Sequence, residues 1–337
     1  MPVPDPDLAT RAPESDAAED QQDSPALSAI AAPTPPPEQP QLCDNCVSDR
    51  PTPAGIGAPK GELTTLGGID VYITKPPSYP STPARLLLLL TGGTGLKSTN
   101  NQLQADLFSA EGNYVVVMPD LFSGDPAPNS QVREDDPDIQ AGGGGDGGGF
   151  IGMFKLKAVE TAKSFMVDMW LARHTEDKIL PIIHKVLDAA KDEFADAVGN
   201  GGGVYAVGYC IGGRYVLLLG QQREGKKRGD VEQGDGVKEG PWIKAGAVAH
   251  ATLVSKQDFV GLKAPVTLVN VESDPMFPDE VRVAGEDEMR KGGVEHEVQV
   301  YPGVPHGFAV VGEYEDENIK EAQKTAYGQM LKWLQDH

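Results

Sequence analysis

Cys210 is the side chain in this sequence whose neighbours are most clearly arranged for chemistry. It sits in the run Val204-Tyr-Ala-Val-Gly208-Tyr-Cys210-Ile-Gly212-Gly213, which continues directly into Arg214-Tyr-Val-Leu-Leu-Leu. The apolar run breaks at Gly208 and a helical pattern resumes behind Gly212 and Gly213, which predicts a strand, a tight turn and a helix with Cys210 at the corner. Glycines there let two backbones cross closely and expose the corner side chain at the carboxyl edge of a sheet, as in the nucleophile elbow G-x-S-x-G, here with Cys replacing Ser. Cys210 is therefore the candidate nucleophile.

A thiol of ordinary pKa, about 8.5, is only a few per cent thiolate at neutral pH, so it needs a base. Two further apolar runs end in suitable groups. Val266 to Val271 is followed by Glu272-Ser273-Asp274-Pro275, and Val298 to Tyr301 by Pro302-Gly-Val-Pro-His306-Gly-Phe308. His306 is the expected base. Asp274, favoured over Glu272 and Asp279 by its place just past a strand, would hold the His306 tautomer and stabilise the imidazolium. The backbone N–H of Ile211, and that of Gly93 after the Leu-rich strand, would form an oxyanion hole. Gly92, Tyr209, His250 and Phe308 are expected to line the pocket, although His250 reads equally well as a structural residue. The remaining histidines, His174, His184, His296 and His337, read as surface or helix residues without partners.

These groups need a scaffold. Glu62 to Leu66 and Ile69 to Thr74, joined by Gly67-Gly68, read as a hairpin. Arg85 to Thr91, with five consecutive leucines, and Tyr114 to Met118 read as strands buried on both faces. Helical periodicity links them through Leu103, Leu107 and Phe108. Glu176 to Val198 forms one strong helical stripe, and further helices are expected over Val281 to Gly292 and Glu315 to Gln335. With the strand Ile243 to His250, the succession gives about eight strands, mostly parallel and covered by helices on both faces. The order nucleophile, acid, histidine, at positions 210, 274 and 306, is that of the α/β-hydrolase fold.

Composition bounds the alternatives. Residues 1 to 40, rich in Ala, Pro, Ser and Asp, lack the apolar periodicity that would offset ordering entropy and are expected to be disordered, leaving one domain over 41 to 337. A Gly-rich insertion over about 123 to 149 reads as a loop, a candidate mobile cover for the site. A net charge of −21 disfavours nucleic acid and anionic membranes as partners. No apolar run reaches membrane-spanning length and no leader is evident, so a cytoplasmic location is expected. The sequence does not distinguish a monomer from a homodimer. Three cysteines make no disulfide framework, and Cys43-x-x-Cys46 lacks the second ligand pair of a zinc knuckle, so both are expected to be ordinary thiols in an ordered flap and no metal is expected.

Several segments together resemble the dienelactone hydrolase family, the Cys-His-Asp branch of the α/β hydrolases, and are nearest to its fungal-type members. They are Gly208-Tyr-Cys-Ile-Gly-Gly213, His306-Gly-Phe308, Tyr114-Val-Val-Val-Met-Pro-Asp-Leu-Phe-Ser-Gly-Asp125, Asn100-Asn-Gln-Leu-Gln-Ala-Asp106 and Val248-Ala-His250. The resemblance implies a cytosolic, cofactor-free enzyme that hydrolyses small esters or lactones through an acyl-thioester. Two positions depart from the family's bacterial enzymes. Gly92 stands where they carry a Glu, and Ala309-Val310-Val311 where they carry a carboxylate-gripping Arg, which turns the expected substrate toward an apolar ester, thioester or lactone. An alternative is a non-catalytic binding or redox-sensing protein that keeps the fold and uses Cys210 as a reactive thiol.

Overall fold

The computed structural model describes residues 42–128, 165–224 and 238–337, all within one compact unit, Gln39–His337. The expected disordered tail and most of the Gly-rich insertion lie outside the described residues. In chain order the elements are α1 (Asp44–Val47), β1 (Glu62–Leu66), β2 (Ile69–Thr74), β3 (Arg85–Leu90), α2 (Thr99–Gly112), β4 (Tyr114–Pro119), α3 (165–173), α4 (Glu176–Glu193), α5 (Ala195–Gly201), β5 (Val204–Tyr209), α6 (Ile211–Leu219), β6 (Arg223–Glu224), β7 (Lys238–Glu239), β8 (Ala245–Ala249), β9 (Val266–Val271), α7 (Asp279–Lys291), β10 (His296–Tyr301) and α8 (Glu317–Asp336).

Eight strands form one sheet in the order β1-β2-β4-β3-β5-β8-β9-β10. The β1–β2 and β2–β4 pairs are antiparallel and every later pair is parallel, so the fold is the expected α/β hydrolase. The five leucines of β3 show why a parallel strand carries no alternation. Leu86, Leu88 and Leu90 pack on one face with Ile183, Leu187 and Val216, whereas Leu87 and Leu89 pack on the other with Phe108, Met330 and Leu334. Each buried Leu contributes about 1.5–3 kcal/mol, so both faces hold the strand centrally.

One expected helix is two. The stripe from Glu176 to Val198 breaks at Phe194, whose φ −116° and ψ 41° leave the helical region. Burial decides this: Phe194 is driven into the core, its ring under the Lys75 ammonium at 5.4 Å, and the chain turns before resuming as α5. Gly202 at φ 67° then closes α5.

The sheet order brings the carboxyl ends of β3, β5, β8, β9 and β10 side by side. Those ends carry, in sequence, Gly92-Gly93, Cys210, His250, Asp274 and His306. Over them lies the segment from Leu42 to Gly61, a strap tied down by a polar face of α2. Asn100 donates to the Arg50 carbonyl (2.7 Å), Ser98 to Asp49 (2.9 Å), and Asp106 accepts from the Lys60 amide (2.7 Å). Gln104 of the same face accepts from the Val311 amide at 2.9 Å, so one helix positions both the strap and the loop after β10.

Candidate active site

Cys210 occupies the corner with φ 50° and ψ −118°, backbone angles an L-residue rarely adopts and which persist only when the surroundings impose them. The surroundings here are glycines chosen for space. A β-carbon at Gly208 would collide with the Gly212 carbonyl, and one at Gly212 with the Leu90 carbonyl oxygen. The corner is clamped by hydrogen bonds: the Cys210 amide donates to Ala249 (3.1 Å), and the Cys210 carbonyl accepts from Gly213 and Thr252 (3.0 Å each). Behind it, Arg214 on α6 pairs with Asp258 (3.1 Å) and Glu176 (2.6 Å), fixing the helix that carries the elbow.

His306 Nδ1 lies 2.7 Å from Asp274 Oδ2, and both residues are buried. Asp274 is held in turn by the Met276 amide, which donates to its other oxygen at 2.9 Å. This leaves His306 Nε2 facing Cys210 without a protein partner of hydrogen-bonding geometry, yet near enough for each to reset the other's protonation. Burial alone would lower the His306 pKa, but the bond to Asp274 and the adjacent thiolate outweigh it and raise it to about 10. The Cys210 thiol is pushed well below its ordinary value by its neighbour Cys46, against burial and with help from His306. Both shifts run toward the charged forms of the pair.

The Ile211 and Gly93 amides make no hydrogen bond among the described residues and are free to face a developing oxyanion. Gly92 is in contact with Cys210: a β-carbon there would stand 3.1 Å from Cys210 Cβ and 3.6 Å from its Sγ. Tyr209, His250, Gly92 and Cys210 line a cavity of about 40 Å³, and Phe308 packs just behind it against His250, ring centroids 6.1 Å apart. His250 is no satisfied structural histidine. It is fully buried with both ring nitrogens unpartnered, 5.0 Å from the His306 ring, and burial keeps it neutral.

The other histidines do have partners, contrary to expectation. His174 Nε2 meets Asp125 at 3.0 Å, and the His184 ring packs edge-on against Trp242 at 4.7 Å. His296 Nδ1 is 2.7 Å from the Val294 carbonyl, and His337 Nδ1 is 2.8 Å from that of Trp333. None of the four reaches the site.

The larger correction concerns Cys43 and Cys46. They are not remote thiols: the strap carries them over the elbow, so that Cys46 lines the same small cavity as Cys210 and its sulfur is 2.9 Å from that of Cys43. The Cys43, Cys46 and His306 ligand atoms all lie within 4.8 Å of one another. Two thiolates sharing a tetrahedral zinc, with Zn–S near 2.3 Å, stand about 3.8 Å apart. The observed 2.9 Å separation does not suit that ion. The strap also brings Asn45, Asp49 and Arg50 to the cavity, where Arg50 lies over the Tyr314 ring at 4.8 Å. The cavity lining is thus part polar, not the apolar surface that Val310 and Val311 alone suggest.

Residues 69–337 match the model of the dienelactone hydrolase family, and the chain belongs to that family, a family of ester- and lactone-hydrolysing enzymes. Among its relatives is the hydrolase tropI of Talaromyces stipitatus, 27% identical over 285 residues that cover 83% of this chain and 92% of that protein. Dienlactone hydrolase 1 of Gibberella moniliformis is likewise 27% identical, covering 82% and 88% respectively. In the solved structures, a Klebsiella pneumoniae protein assigned as a dienelactone hydrolase shares the fold with a TM-score of 0.57 at 16% identity, covering 82% of this chain and 99% of its own. A thermophilic esterase from Thermogutta terrifontis with propionate bound gives 0.51 at 13% identity, covering 83% of this chain and 96% of its own. Among the described residues no helix is long and apolar enough to cross a membrane.

Proposed function

We propose that the protein hydrolyses a small ester or lactone through an acyl-thioester on Cys210. The observation that carries this is the strained elbow that presents Cys210, together with a buried His306 held by Asp274 at 2.7 Å. The sulfur attacks the carbonyl carbon and the oxyanion is taken by the Ile211 and Gly93 amides. His306 gives its proton to the leaving alkoxide. In the second half, neutral His306 takes a proton from water as the hydroxide adds to the thioester, and the C–S bond breaks to return the Cys210 thiolate with the carboxylic acid. No cofactor takes part in these steps.

The cavity of about 40 Å³ admits only a few waters, so a substrate enters when the strap over Cys210 shifts. Val310 and Val311 suit an apolar part of the substrate, while Arg50 at the rim offers a guanidinium to a carboxylate. A small ester or lactone bearing an acidic group fits both. A non-catalytic sensor is not favoured by the family to which the chain belongs. The test is single-turnover mass spectrometry with aryl esters and lactones. An acyl adduct on Cys210, lost in Cys210→Ala together with turnover, supports the mechanism; wild-type turnover by Cys210→Ala sinks it.

A further inference from the structure

The sequence holds three cysteines in all, and the fold gathers every one of them at a single point. Cys43 and Cys46 lie 2.9 Å apart sulfur to sulfur across one turn, and Cys46 lines the same cavity of about 40 Å³ as Cys210. Cys43, Cys46 and His306 present their sulfur and nitrogen atoms within 4.8 Å of one another, and of the two strap cysteines it is Cys46 that shares the cavity lining with Cys210. Cys43 is half-buried, whereas Cys46 and Cys210 are 2% and 4% exposed. The cavity against Cys210 is too small for an ester in its resting form but large enough for a water-sized oxidant.

We propose that Cys43 and Cys46 form a thiol relay that takes oxidising equivalents off Cys210 and parks them as a Cys43–Cys46 disulfide, restoring the Cys210 thiolate. The inference rests on the reading of Cys210 as a resting thiolate. The oxidant is hydrogen peroxide. In the first step the Cys210 sulfur attacks a peroxide oxygen and the O–O bond breaks. The departing hydroxide takes the His306 proton, leaving a sulfenic acid on Cys210 and a neutral imidazole. In the second, the Cys46 sulfur attacks the Cys210 sulfur, the S–O bond breaks, and hydroxide leaves as water with the Cys46 proton. In the third, the Cys43 sulfur attacks Cys46, the Cys46–Cys210 bond breaks, and its electron pair returns to Cys210 as thiolate. The Cys43 proton goes back to His306. The peroxide is reduced by two electrons, the Cys43 and Cys46 thiols are oxidised by two, and a dithiol reductant resets the pair.

Without Cys46, the strap cysteine that shares the cavity with Cys210 is gone, and a second peroxide carries the sulfenic acid to sulfinic acid, an irreversible product for such a thiol. The relay therefore protects the nucleophile and does not merely switch it off.

The experiment treats the full-length protein, Cys43→Ser, Cys46→Ser and Cys210→Ala with hydrogen peroxide, maps disulfides and sulfur oxidation by mass spectrometry, and follows aryl-ester hydrolysis. Wild type is expected to accumulate the Cys43–Cys46 disulfide near stoichiometrically and keep most of its activity. Cys43→Ser should trap the Cys46–Cys210 disulfide and be inactive until dithiothreitol is added. Cys46→Ser should form Cys210 sulfinic acid and lose activity irreversibly. Cys210→Ala should form the Cys43–Cys46 disulfide at least tenfold more slowly than wild type. Equal rates of Cys210 overoxidation in wild type and Cys46→Ser would overturn the relay, as would wild-type speed of disulfide formation in Cys210→Ala. So would zinc retained by the purified protein that shields the thiols from peroxide. The disulfide map is read without reference to hydrolysis, so failure of the acyl-thioester mechanism shows separately, as turnover surviving in Cys210→Ala.

Discussion

His306 answers to two neighbours at once, and the balance between them sets the pH range in which the proposed chemistry runs. Its pKa is lifted to about 10 by Asp274 and the Cys210 thiolate against the opposing effect of burial, while that of Cys210 is lowered. Activity should therefore persist as pH falls until the thiolate is protonated below the ordinary thiol range. On the alkaline side it should fall as His306 loses its proton near pH 10. In Asp274→Asn one of the two supports of the imidazolium is gone, so the alkaline limb of kcat/KM moves to lower pH, and the rate drops by about 10²–10⁴-fold. A pH–rate profile of both proteins reads this. An unchanged alkaline limb in the variant would remove Asp274 from its orienting role. At the rim, Arg50→Ala should raise KM about tenfold for an ester bearing a carboxylate and leave a neutral aryl ester within about twofold, the size expected for one charge-assisted contact. Equal effects on both substrates would place the acidic group elsewhere.

At the scale of elements, the elbow works because β3, β5 and α6 approach more closely than any side chain permits. Gly212→Ala would force a β-carbon into the Leu90 carbonyl oxygen and is expected to cost about 3 kcal/mol or more in urea unfolding, at the upper end of overpacking effects. Gly199 supplies the control. It lies on exposed, helical α5 with nothing within 4 Å of its would-be β-carbon, and Gly199→Ala should stabilise by about 0.5–1 kcal/mol. The same reasoning explains what the sequence could tell. Gly208, Gly212 and Gly213 announced the elbow because close approach has a local signature, and the chain order of Cys210, Asp274 and His306 announced which strand ends would meet. The break at Phe194 was hidden because a buried aromatic fits the helical stripe and the core equally well by periodicity. The destination of Cys43 and Cys46 was hidden for a different reason. It depends on contacts made by buried polar residues of α2, Asn100 among them, whose partners lie about fifty positions earlier in the chain and leave no periodic trace.

The whole molecule carries a net charge of −21, and that field opposes the approach of the acidic substrate favoured by Arg50. Raising salt from low to about 0.15 M shortens the screening length to about 8 Å, so kcat/KM for an anionic ester should rise with ionic strength while that for a neutral ester stays flat. A fall for the anionic ester would show that local attraction by Arg50 dominates.

The strap over Cys210 has one more consequence, which concerns the order in which the chain is made. Residues 42 to 52 emerge from the ribosome long before their seat exists, because that seat includes Gly307, Val311 and the Glu313 amide, which donates to Pro51 at 2.8 Å. The elbow must therefore assemble uncovered, and its cover can dock only after β10 and the loop beyond it are in place. Contacts of such large sequence separation form late because closing the loop is costly before other contacts support it. In refolding of the Cys43→Ser/Cys46→Ser protein, Cys210 should stay open to a thiol reagent after the far-ultraviolet signal of the sheet and helices has recovered. Protection arriving in step with that signal would mean the strap docks early.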